Sequence, residues 1–168
     1  LVISKTGHFD DISLDSRFTC LEAEHPVPGD GTMAAGRALL AYCAALPEGA
    51  QVLCCISGGA SSLVEVLPEG MTLKTLQGLN ETLLSQGLDI GQMNRIRQAL
   101  SLLKAGRLAD RLKGHRVVGL YISDVPGDDL ATIGSGPLVS PVRPGLTEFP
   151  PVVASLLNGI DPVPPASG

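Results

Sequence analysis

Apolar residues recur along the chain with two periods, and their order predicts the order of the secondary structure. Short apolar runs that stop at glycine or polar residues predict strands at 1–5, 18–23, 52–56 and 117–123. Apolar residues three and four positions apart predict helices at 33–46, 73–84, 90–112 and 149–157. This order predicts an α/β fold. The later strands lack clean alternation, which indicates a mainly parallel sheet with helices on both faces.

Single residues are predicted to set several boundaries. Thr72 suits the N-cap of a helix, Gly87 its end, and Gly106 a break or kink in the helix at 90–112. Residues 161–168 form a Pro-rich tail or truncated linker, which leaves 1–160 as one domain. Because the sequence opens on Leu1 rather than Met, we expect this domain to be part of a larger protein.

A run of small residues, here called the glycine turn (57–62), follows the strand at 52–56. Its sequence is Ser-Gly-Gly-Ala-Ser-Ser. Glycines let a ligand approach the main chain closely, and free N–H groups at a helix start suit anionic oxygens. The alternative is a plain strand-to-helix turn without a ligand, and the run alone does not decide between the two.

An acidic segment, here called the aspartate loop (124–136), follows the strand at 117–123 and contains Asp124, Asp128 and Asp129. Both unusual turns therefore fall at strand carboxyl ends, where ligands of parallel sheets bind. Mg²⁺ takes one or two carboxylates together with phosphate oxygens, so the pair of turns suggests phosphoryl transfer. The alternative is that Asp124 and Asp128 cap the turn that follows.

Composition excludes several other classes of protein. A net charge of −5 and 3% aromatic residues argue against a nucleic-acid partner. Four cysteines without a C-x-x-C pair argue against zinc and disulfides, and indicate thiols in a reducing compartment such as the cytoplasm. No apolar run reaches membrane-spanning length. The P-loop, the dinucleotide fingerprint and the nucleophile elbow are all absent from the sequence.

Three stretches resemble motifs of the glycerate 2-kinase family that carries a MOFRL-type C-terminal domain, whose members are often mislabelled as hydroxypyruvate reductases. Residues 57–63 are similar to S-G-G-G-S-A-L, 94–109 to N-x-V-R-K-H-L-S-x-I-K-G-G-x-L-A, and 123–137 to S-D-V-x-G-D-D-L-x-x-I-A-S-G-P. Residues 23–28 resemble A-G-H-P-x-P more weakly. The resemblance covers residues 1–140 and implies a DUF4147-like N-terminal domain, a Rossmann-like three-layer αβα sandwich.

The resemblance also implies an activity, the ATP-dependent phosphorylation of D-glycerate at its 2-hydroxyl to give 2-phosphoglycerate, with Mg²⁺ as cofactor. The cleft would lie between this domain and a C-terminal domain. The protein could also form a homodimer, which the sequence does not decide. Carried over by position, the catalytic residues would be Asp124, Asp128, Lys104 and Arg97, with Asp124 and Asp128 also binding the metal. The substrate- or nucleotide-binding residues would be Ser57, Gly58, Gly59, Ser61, Ser135 and His25.

Other interpretations stay open for three of these residues. Arg97 and Lys104 could lie on a solvated helix face, which is the common location of such side chains. His25 could make a hydrogen bond that anchors its own loop rather than contact substrate.

Four of the positions at which the chain departs from the family pattern bear on the site. Gln98 and Ala99 stand where the pattern has Lys and His, and Ala60 and Ala105 replace glycines. The family's G-K-A motif is expected before Leu1, and its catalytic Arg belongs to the C-terminal domain. We therefore expect the isolated chain to be inactive. The alternatives are a diverged non-catalytic module that binds nucleotide or anion, and a hydroxypyruvate reductase-type oxidoreductase, against which the missing G-x-G-x-x-G counts.

Overall fold

The computed structural model describes residues 1–10, 13, 15–139, 149–157, 159–164 and 166, apart from the side chain of Ile90. The predicted strands are confirmed, with ends close to those expected. In chain order the elements are β1 (Val2–Lys5), β2 (Cys20–Ala23), α1 (Asp30–Ala44), β3 (Gln51–Ser57), α2 (Ala60–Leu63), α3 (Leu73–Ser85), α4 (Ile90–Ala99), α5 (Arg107–Arg111), β4 (Arg116–Ile122), a 3-10 turn (Ile133–Ser135) and α6 (Pro151–Leu157).

The described strands form two parallel pairs, which confirms the α/β fold with parallel strands. β1 pairs with β2, and β3 pairs with β4. In the second pair, Gln51 lies opposite Arg116 and Ser57 lies opposite Ile122. Because the last residues of β3 and β4 are neighbours, the glycine turn and the aspartate loop leave the sheet side by side.

Two apolar clusters hold the helices in place. One joins α3, α4 and α6, and its buried members are Met71, Leu76, Leu79, Leu83, Met93, Ile96, Leu100, Val153 and Leu157. The other packs α1 and α5 on one face of β3 and β4, around Cys43, Leu103, Leu108 and Leu112. Within the described ranges, the helices are all too short or too polar to cross a membrane.

The prediction of one helix at 90–112 is wrong, because α4 ends at Ala99 and α5 begins after Gly106. The buried hydroxyl of Ser101 accepts hydrogen bonds from the backbone N–H groups of Leu103 (3.2 Å) and Lys104 (3.1 Å). These bonds compete with the helical pattern. Gly106 has a φ of 81°, so the predicted break is present there, but the first helix ends well before it.

The predicted boundaries of α3 are confirmed. The hydroxyl of Thr72 accepts a hydrogen bond from the backbone N–H of Thr75 at 3.1 Å, as an N-cap does. Gly87 follows the helix with a φ of 64°, in the left-handed region that glycine favours.

Part of the predicted Pro-rich tail is bound to the domain. Nη2 of Arg107 donates to the carbonyl oxygens of Val163 and Pro164, at 2.8 Å each. The backbone N–H of Val163 donates to the carbonyl of Ala99 at 2.7 Å. Residues 165, 167 and 168 of the tail lie outside the described residues.

Candidate active site

The glycine turn and the aspartate loop touch each other beyond the ends of β3 and β4. Oγ of Ser61 lies 2.8 Å from Oγ of Ser135, within hydrogen-bonding distance. Ser135 is buried and has a left-handed backbone, with a φ of 65°. Residues with a side chain keep that conformation only where their surroundings fix it. The structure thus brings two predicted binding residues into direct contact, although they are 74 positions apart in the sequence.

Gly58 and Gly59 provide space rather than unusual backbone geometry, since neither has a positive φ. A Cβ on Gly58 would lie 2.7 Å from Cγ of Asp124, so a side chain there would displace that carboxylate. A Cβ on Gly59 would lie 3.6 Å from Nε2 of His25. The carboxylate of Asp124 and the ring of His25 therefore flank the glycine turn, which begins at Ser57, the last residue of β3.

Backbone amides at the start of α2 are available to a ligand. The N–H groups of Ser61 and Ser62 donate to the carbonyls of Gly58 (3.3 Å) and Gly59 (3.2 Å). The N–H groups of Gly58, Gly59 and Ala60 have no acceptor within the described part of the chain. Consecutive free N–H groups form a concave binding site for anionic oxygens. Ala60, which replaces a family glycine, leaves its own N–H free for this purpose.

The three aspartates of the aspartate loop have different environments. Asp129 accepts hydrogen bonds from the N–H of Ala131 (3.1 Å) and the hydroxyl of Thr132 (2.6 Å). The capping role that the sequence left open for Asp124 and Asp128 therefore belongs to Asp129. The carboxylates of Asp124 and Asp128 are exposed, and neither has a hydrogen-bond or ion-pair partner among the described residues.

The exposed carboxylates of Asp124 and Asp128 are the described side chains of the two turns whose chemistry suits a magnesium ion. Mg²⁺ prefers oxygen ligands, keeps several waters and commonly binds through one or two carboxylates and substrate phosphates. In the described ranges, no group of three or more His, Cys, Asp or Glu side chains is arranged to hold a metal. Phosphate oxygens and water would therefore have to complete the coordination shell.

His25 lies in the loop before α1, and other side chains hold that loop in place. The carboxylate of Glu24 accepts hydrogen bonds from the N–H groups of Gly31 (3.2 Å) and Thr32 (3.1 Å). Hydrogen bonding, chiefly to its own backbone N–H, lowers the pKa of the Glu24 carboxyl, although burial acts in the opposite direction. Gln77 donates to a carbonyl of the loop at 2.8 Å. The His25 ring makes no hydrogen bond to another described residue, so the anchoring alternative is not realised there.

The two predicted catalytic cations have partners outside the two turns. Nε of Arg97 donates to Oδ1 of Asn80 on α3 at 3.0 Å, and burial lowers the pKa of the Arg97 guanidinium. Nζ of Lys104 forms an ion pair with Glu65, and both side chains are 4% exposed. Ser101 donates to the second oxygen of Glu65 at 2.5 Å. Lys104 is thus not on a solvated helix face, and its charge is neutralised inside the protein. The catalytic role of both residues remains a prediction.

Gln98 has a structural function that sequence reasoning missed. Its Nε2 donates to the carbonyls of Ala131 (3.0 Å) and Ser135 (3.3 Å), and so holds the aspartate loop against α4. The sequence marked Gln98 only as a missing cation. Its acceptors lie 33 and 37 positions away, so no local pattern could have indicated the contact.

These features place the chain among α/β proteins whose candidate ligand site, here a glycine turn beside exposed carboxylates, lies beyond the ends of parallel strands. The chain belongs to the DUF4147 family, described as a domain of unknown function, whose model matches residues 1–145. The family resemblance found in the motifs is thereby confirmed.

Curated relatives carry two kinds of name. The chain is 42% identical over 137 residues to a D-glycerate 2-kinase of Thermotoga maritima, covering 82% of this chain and 32% of that protein. It is 41% identical over 140 residues to a putative hydroxypyruvate reductase of Agrobacterium vitis, covering 83% of this chain and 36% of that protein. A crystal structure of glycerate kinase from Thermotoga maritima matches with a TM-score of 0.79 and 33% identity, covering 98% of this chain and 42% of that one. The chain thus spans about a third of the length of these curated relatives.

Proposed function

We propose that this chain is part of an ATP-dependent glycerate 2-kinase, which phosphorylates the 2-hydroxyl of D-glycerate to give 2-phosphoglycerate. The observation that carries the proposal is the contact between Ser61 and Ser135, which joins the glycine turn to the aspartate loop. The carboxylate of Asp124 lies next to Gly58 of the same turn. The name of the Thermotoga maritima relative supports the substrate. Residues 1–160 would form a Rossmann-like N-terminal domain, and a further domain would complete the cleft.

The glycine turn would hold the anionic oxygens of the substrates. The free N–H groups of Gly58, Gly59 and Ala60 can donate to phosphate or carboxylate oxygens. The hydroxyl of Ser61 adds a further donor, and its contact with Ser135 fixes its direction. Positioning of this kind provides much of the catalysis in phosphoryl transfer, where there is little covalent chemistry for the protein to perform.

Asp124 and Asp128 would hold Mg²⁺, which when bound supplies charge neutralisation on the phosphate oxygens. In the transfer, the 2-oxygen of glycerate forms a bond to the terminal phosphorus of ATP. The bond from that phosphorus to the bridging oxygen of ADP breaks, and the hydroxyl loses its proton. His25 has an imidazole ring that faces the glycine turn without a partner among the described residues, so it is positioned to accept that proton.

The positive charge that phosphoryl transfer requires would come mainly from outside this chain. Arg97 is hydrogen-bonded to Asn80, and the charge of Lys104 is neutralised by Glu65. Loss of a single charge-stabilising group costs a phosphotransferase several powers of ten in rate. We therefore expect residues 1–168 alone to bind nucleotide weakly and to show no turnover.

The hydrogen bond of Arg97 to Asn80 and the ion pair of Lys104 with Glu65 also favour a second candidate function. This candidate is a non-catalytic module that binds nucleotide or another anion. A module of this kind would use the free amides of the glycine turn and would not need free cations. The name of the Agrobacterium vitis relative supports a third candidate, a hydroxypyruvate reductase. The sequence lacks the G-x-G-x-x-G turn that would bind the dinucleotide of such an enzyme.

Titration of ATP and Mg²⁺ against the full-length gene product, with and without D-glycerate, separates these candidates. The kinase proposal predicts ADP and 2-phosphoglycerate in equal amounts, and only when glycerate is present. Nucleotide binding without any product would overturn the kinase and favour the module. Oxidation of NADH or NADPH by hydroxypyruvate, again without phosphorylated product, would favour the reductase.

We also propose a cytoplasmic location, which the state of the cysteines supports. Cys20, Cys43, Cys54 and Cys55 are all free thiols. Burial raises the pKa of Cys43 and of Cys54, which keeps both protonated and unreactive. Free thiols are typical of proteins in a reducing compartment.

A further inference from the structure

The end of β1 lies beside the loop that carries His25. In the register of the first strand pair, Lys5, the last residue of β1, is opposite Ala23, the last residue of β2. The backbone N–H of Thr6 donates to the carbonyl of Ala23 at 3.1 Å, and the Thr6 hydroxyl donates to the same oxygen at 3.3 Å. Since His25 is two residues beyond Ala23, Lys5 and His25 leave neighbouring strands at the same end of a parallel pair.

A tight turn fixes the backbone where β1 ends. The N–H of His8 donates to the carbonyl of Lys5 at 3.1 Å, and Gly7 has the positive φ, 83°, that a type II turn needs at its third residue. The N–H of Gly7 donates to Oε1 of Glu22 at 2.9 Å, and Oγ of Ser4 lies 3.1 Å from Nδ1 of His8. The backbone at Lys5 is therefore held in place by contacts within the protein itself.

The ammonium group of Lys5 is available to a ligand. The side chain is exposed, and it has no hydrogen-bond or ion-pair partner among the described residues. In this respect it differs from Arg97 and Lys104, which have partners on other parts of the chain. Among the described lysines and arginines, Lys5 alone lies at the carboxyl end of a strand. Ligands of parallel sheets bind at that end.

Lys5 lies on the side of β1 that faces the glycine turn. Alternate residues of a strand share a face, so Lys5 is on the same face as Ile3. Ile3 lines one cavity together with Ser57, the last residue of β3, and with Ala60 and Leu63 of α2. β1 and α2 are also direct neighbours. Because Lys5 is two residues nearer than Ile3 to the carboxyl end of β1, its side chain belongs to the corner where the glycine turn begins.

We propose that Lys5 binds the carboxylate of the glycerate substrate, an inference that rests on the proposed function. In a 2-hydroxy acid, the carboxylate is attached to the carbon that carries the reacting hydroxyl. The group that binds the carboxylate must therefore lie next to the group that accepts the proton of the hydroxyl, for which His25 is positioned. Lys5 ends the strand beside the His25 loop, and its ammonium group offers three donors on a flexible stem.

The phosphates of ATP would then bind on the opposite side of the glycine turn. Asp124 and Asp128 follow β4, which pairs with β3, whereas Lys5 ends β1, which pairs with β2. Mg²⁺ at the two carboxylates would draw the phosphate oxygens towards β4. Glycerate would lie nearer to β1, with its carboxylate at Lys5. This arrangement makes Lys5 a specificity residue, which selects a negatively charged 2-hydroxy acid over a neutral alcohol.

The test uses Lys5→Met in the full-length gene product. We expect KM for D-glycerate to rise by about 10- to 100-fold, because a charge-assisted hydrogen bond to the substrate is lost. KM for ATP and Tm should stay unchanged, since the Lys5 side chain is exposed and unpaired among the described residues. Lys113→Met is the matched control. Lys113 precedes β4 at the opposite end of the strands and lies 3.0 Å from Asp110, so its loss should leave both KM values unchanged.

A neutral analogue separates carboxylate binding from a merely structural role. D-glyceramide keeps the 2-hydroxyl but carries an uncharged amide in place of the carboxylate. The unsubstituted protein should have a much higher kcat/KM for D-glycerate than for D-glyceramide, and Lys5→Met should lose most of this preference. Lys5→Arg, which keeps the charge, should restore a large part of it. Damage to the fold would lower kcat/KM for both compounds alike and leave the preference intact.

Calorimetric titration with D-glycerate keeps this inference separate from the kinase proposal. If the full-length protein forms no 2-phosphoglycerate, the kinase proposal fails, but a tenfold loss of D-glycerate affinity in Lys5→Met would still support a carboxylate site at Lys5. Equal affinity or KM for D-glycerate in Lys5→Met and the unsubstituted protein would overturn the inference. A rise in KM for ATP alone would assign Lys5 to the phosphates and overturn it as well, as would an unsubstituted protein that does not bind D-glycerate.

Discussion

At the scale of single residues, the candidate site is marked by exposed polar side chains that lack partners among the described residues. The side chains of Asp124, Asp128 and His25 make no hydrogen bond to a described residue, and the glycine turn beside them has free amides. The buried charge of Glu65 is paired with Lys104. Because these side chains are exposed to water, they carry no burial penalty and remain available to a ligand, and their grouping at one corner marks a candidate binding site.

Substitution of Gly58 tests the approach of Asp124 to the glycine turn. In Gly58→Ala the new Cβ would take the space of the Asp124 carboxylate. Because Asp124 is exposed and can turn away, we expect the free energy of unfolding to change by less than about 1 kcal/mol. Displacement of the carboxylate should raise the dissociation constant for Mg²⁺-ATP by about tenfold, measured by calorimetric titration of the full-length protein.

Gly78→Ala is the matched control, since a Cβ at this position on α3 meets nothing within 4 Å. We expect unchanged nucleotide binding and a gain of about 1 kcal/mol in stability from the better helix former. Equal binding by the Gly58→Ala variant and the unsubstituted protein would mean that Asp124 does not belong to the nucleotide site.

The ion pair of Lys104 and Glu65 leads to a second prediction. In Lys104→Met, the carboxylate of Glu65 stays buried without its partner, so we expect a loss of about 3–5 kcal/mol in urea unfolding. Lys113 is the control: it lies 3.0 Å from Asp110, but its side chain is 57% exposed. Lys113→Met should cost less than about 1 kcal/mol.

The double variant Glu65→Gln, Lys104→Met separates the two roles that Lys104 could have. Recovery of most of the lost stability, with nucleotide binding like that of the unsubstituted protein, is expected of a structural ion pair. A Lys104→Met variant that keeps its stability but no longer binds nucleotide would show that the charge of Lys104 acts in the site.

At the scale of the elements, α1 links the His25 loop to the glycine turn. The carboxylate of Glu24 caps the first N–H groups of this helix, and the hydroxyl of Thr32 donates to the carbonyl of Ser62 at 3.0 Å. His25 follows Glu24 directly in the sequence. The start of α1 therefore fixes the position of His25 relative to α2.

The cap at Glu24 predicts a pH dependence of stability. Because hydrogen bonding lowers its pKa in the folded state, ionised Glu24 stabilises the fold above the ordinary pKa range of a glutamate. This contribution is lost as the pH falls through the lowered pKa. In Glu24→Gln, we expect Tm to fall by about 2–4 °C at neutral pH, with the difference vanishing well below about pH 4.

Glu48→Gln serves as the control for this measurement, because Glu48 is exposed and makes no hydrogen bond to a described residue. Its substitution should leave Tm unchanged at both pH values. A Tm difference between Glu24→Gln and the unsubstituted protein that persists at low pH would rule out the charge of Glu24 as the source of the cap's stability.

The elements that sequence patterns predicted are those set by local contacts. The Thr72 cap depends on a residue three positions away, and it was predicted correctly. The end of α4 was not predicted correctly, because it depends on the burial of Ser101. The hydroxyl of Ser101 donates to Glu65, which lies 36 positions away in the sequence. The spacing of apolar residues along the sequence carries no information about such a distant partner.

The candidate site likewise has features that sequence patterns predict and features that depend on distant contacts. Its place beyond β3 and β4 could be predicted from the order of strands and turns, since parallel strands end at one edge. The partners of Arg97 and Lys104 could not be predicted, because Asn80 and Glu65 lie in other parts of the chain. Nor could the sequence indicate that Asp129, rather than Asp124 or Asp128, would cap the turn.

At the scale of the whole molecule, the chain spans about a third of the length of the curated relatives that it matches. Its free amides and exposed carboxylates lie together beyond the ends of β3 and β4. Arg97 and Lys104, the two cations predicted for the site, contact Asn80 and Glu65 instead. The central claim is that the glycine turn and the aspartate loop act together on one ligand.

The most direct test of this claim is the rate of 2-phosphoglycerate formation by the full-length gene product carrying Asp124→Asn. Asp30→Asn is the control, since Asp30 is an exposed residue in the first turn of α1. The account predicts that Asp124→Asn lowers kcat by about 100-fold or more, while Asp30→Asn stays within about twofold of the unsubstituted protein. Full activity of Asp124→Asn, in a protein that does form 2-phosphoglycerate, would contradict it.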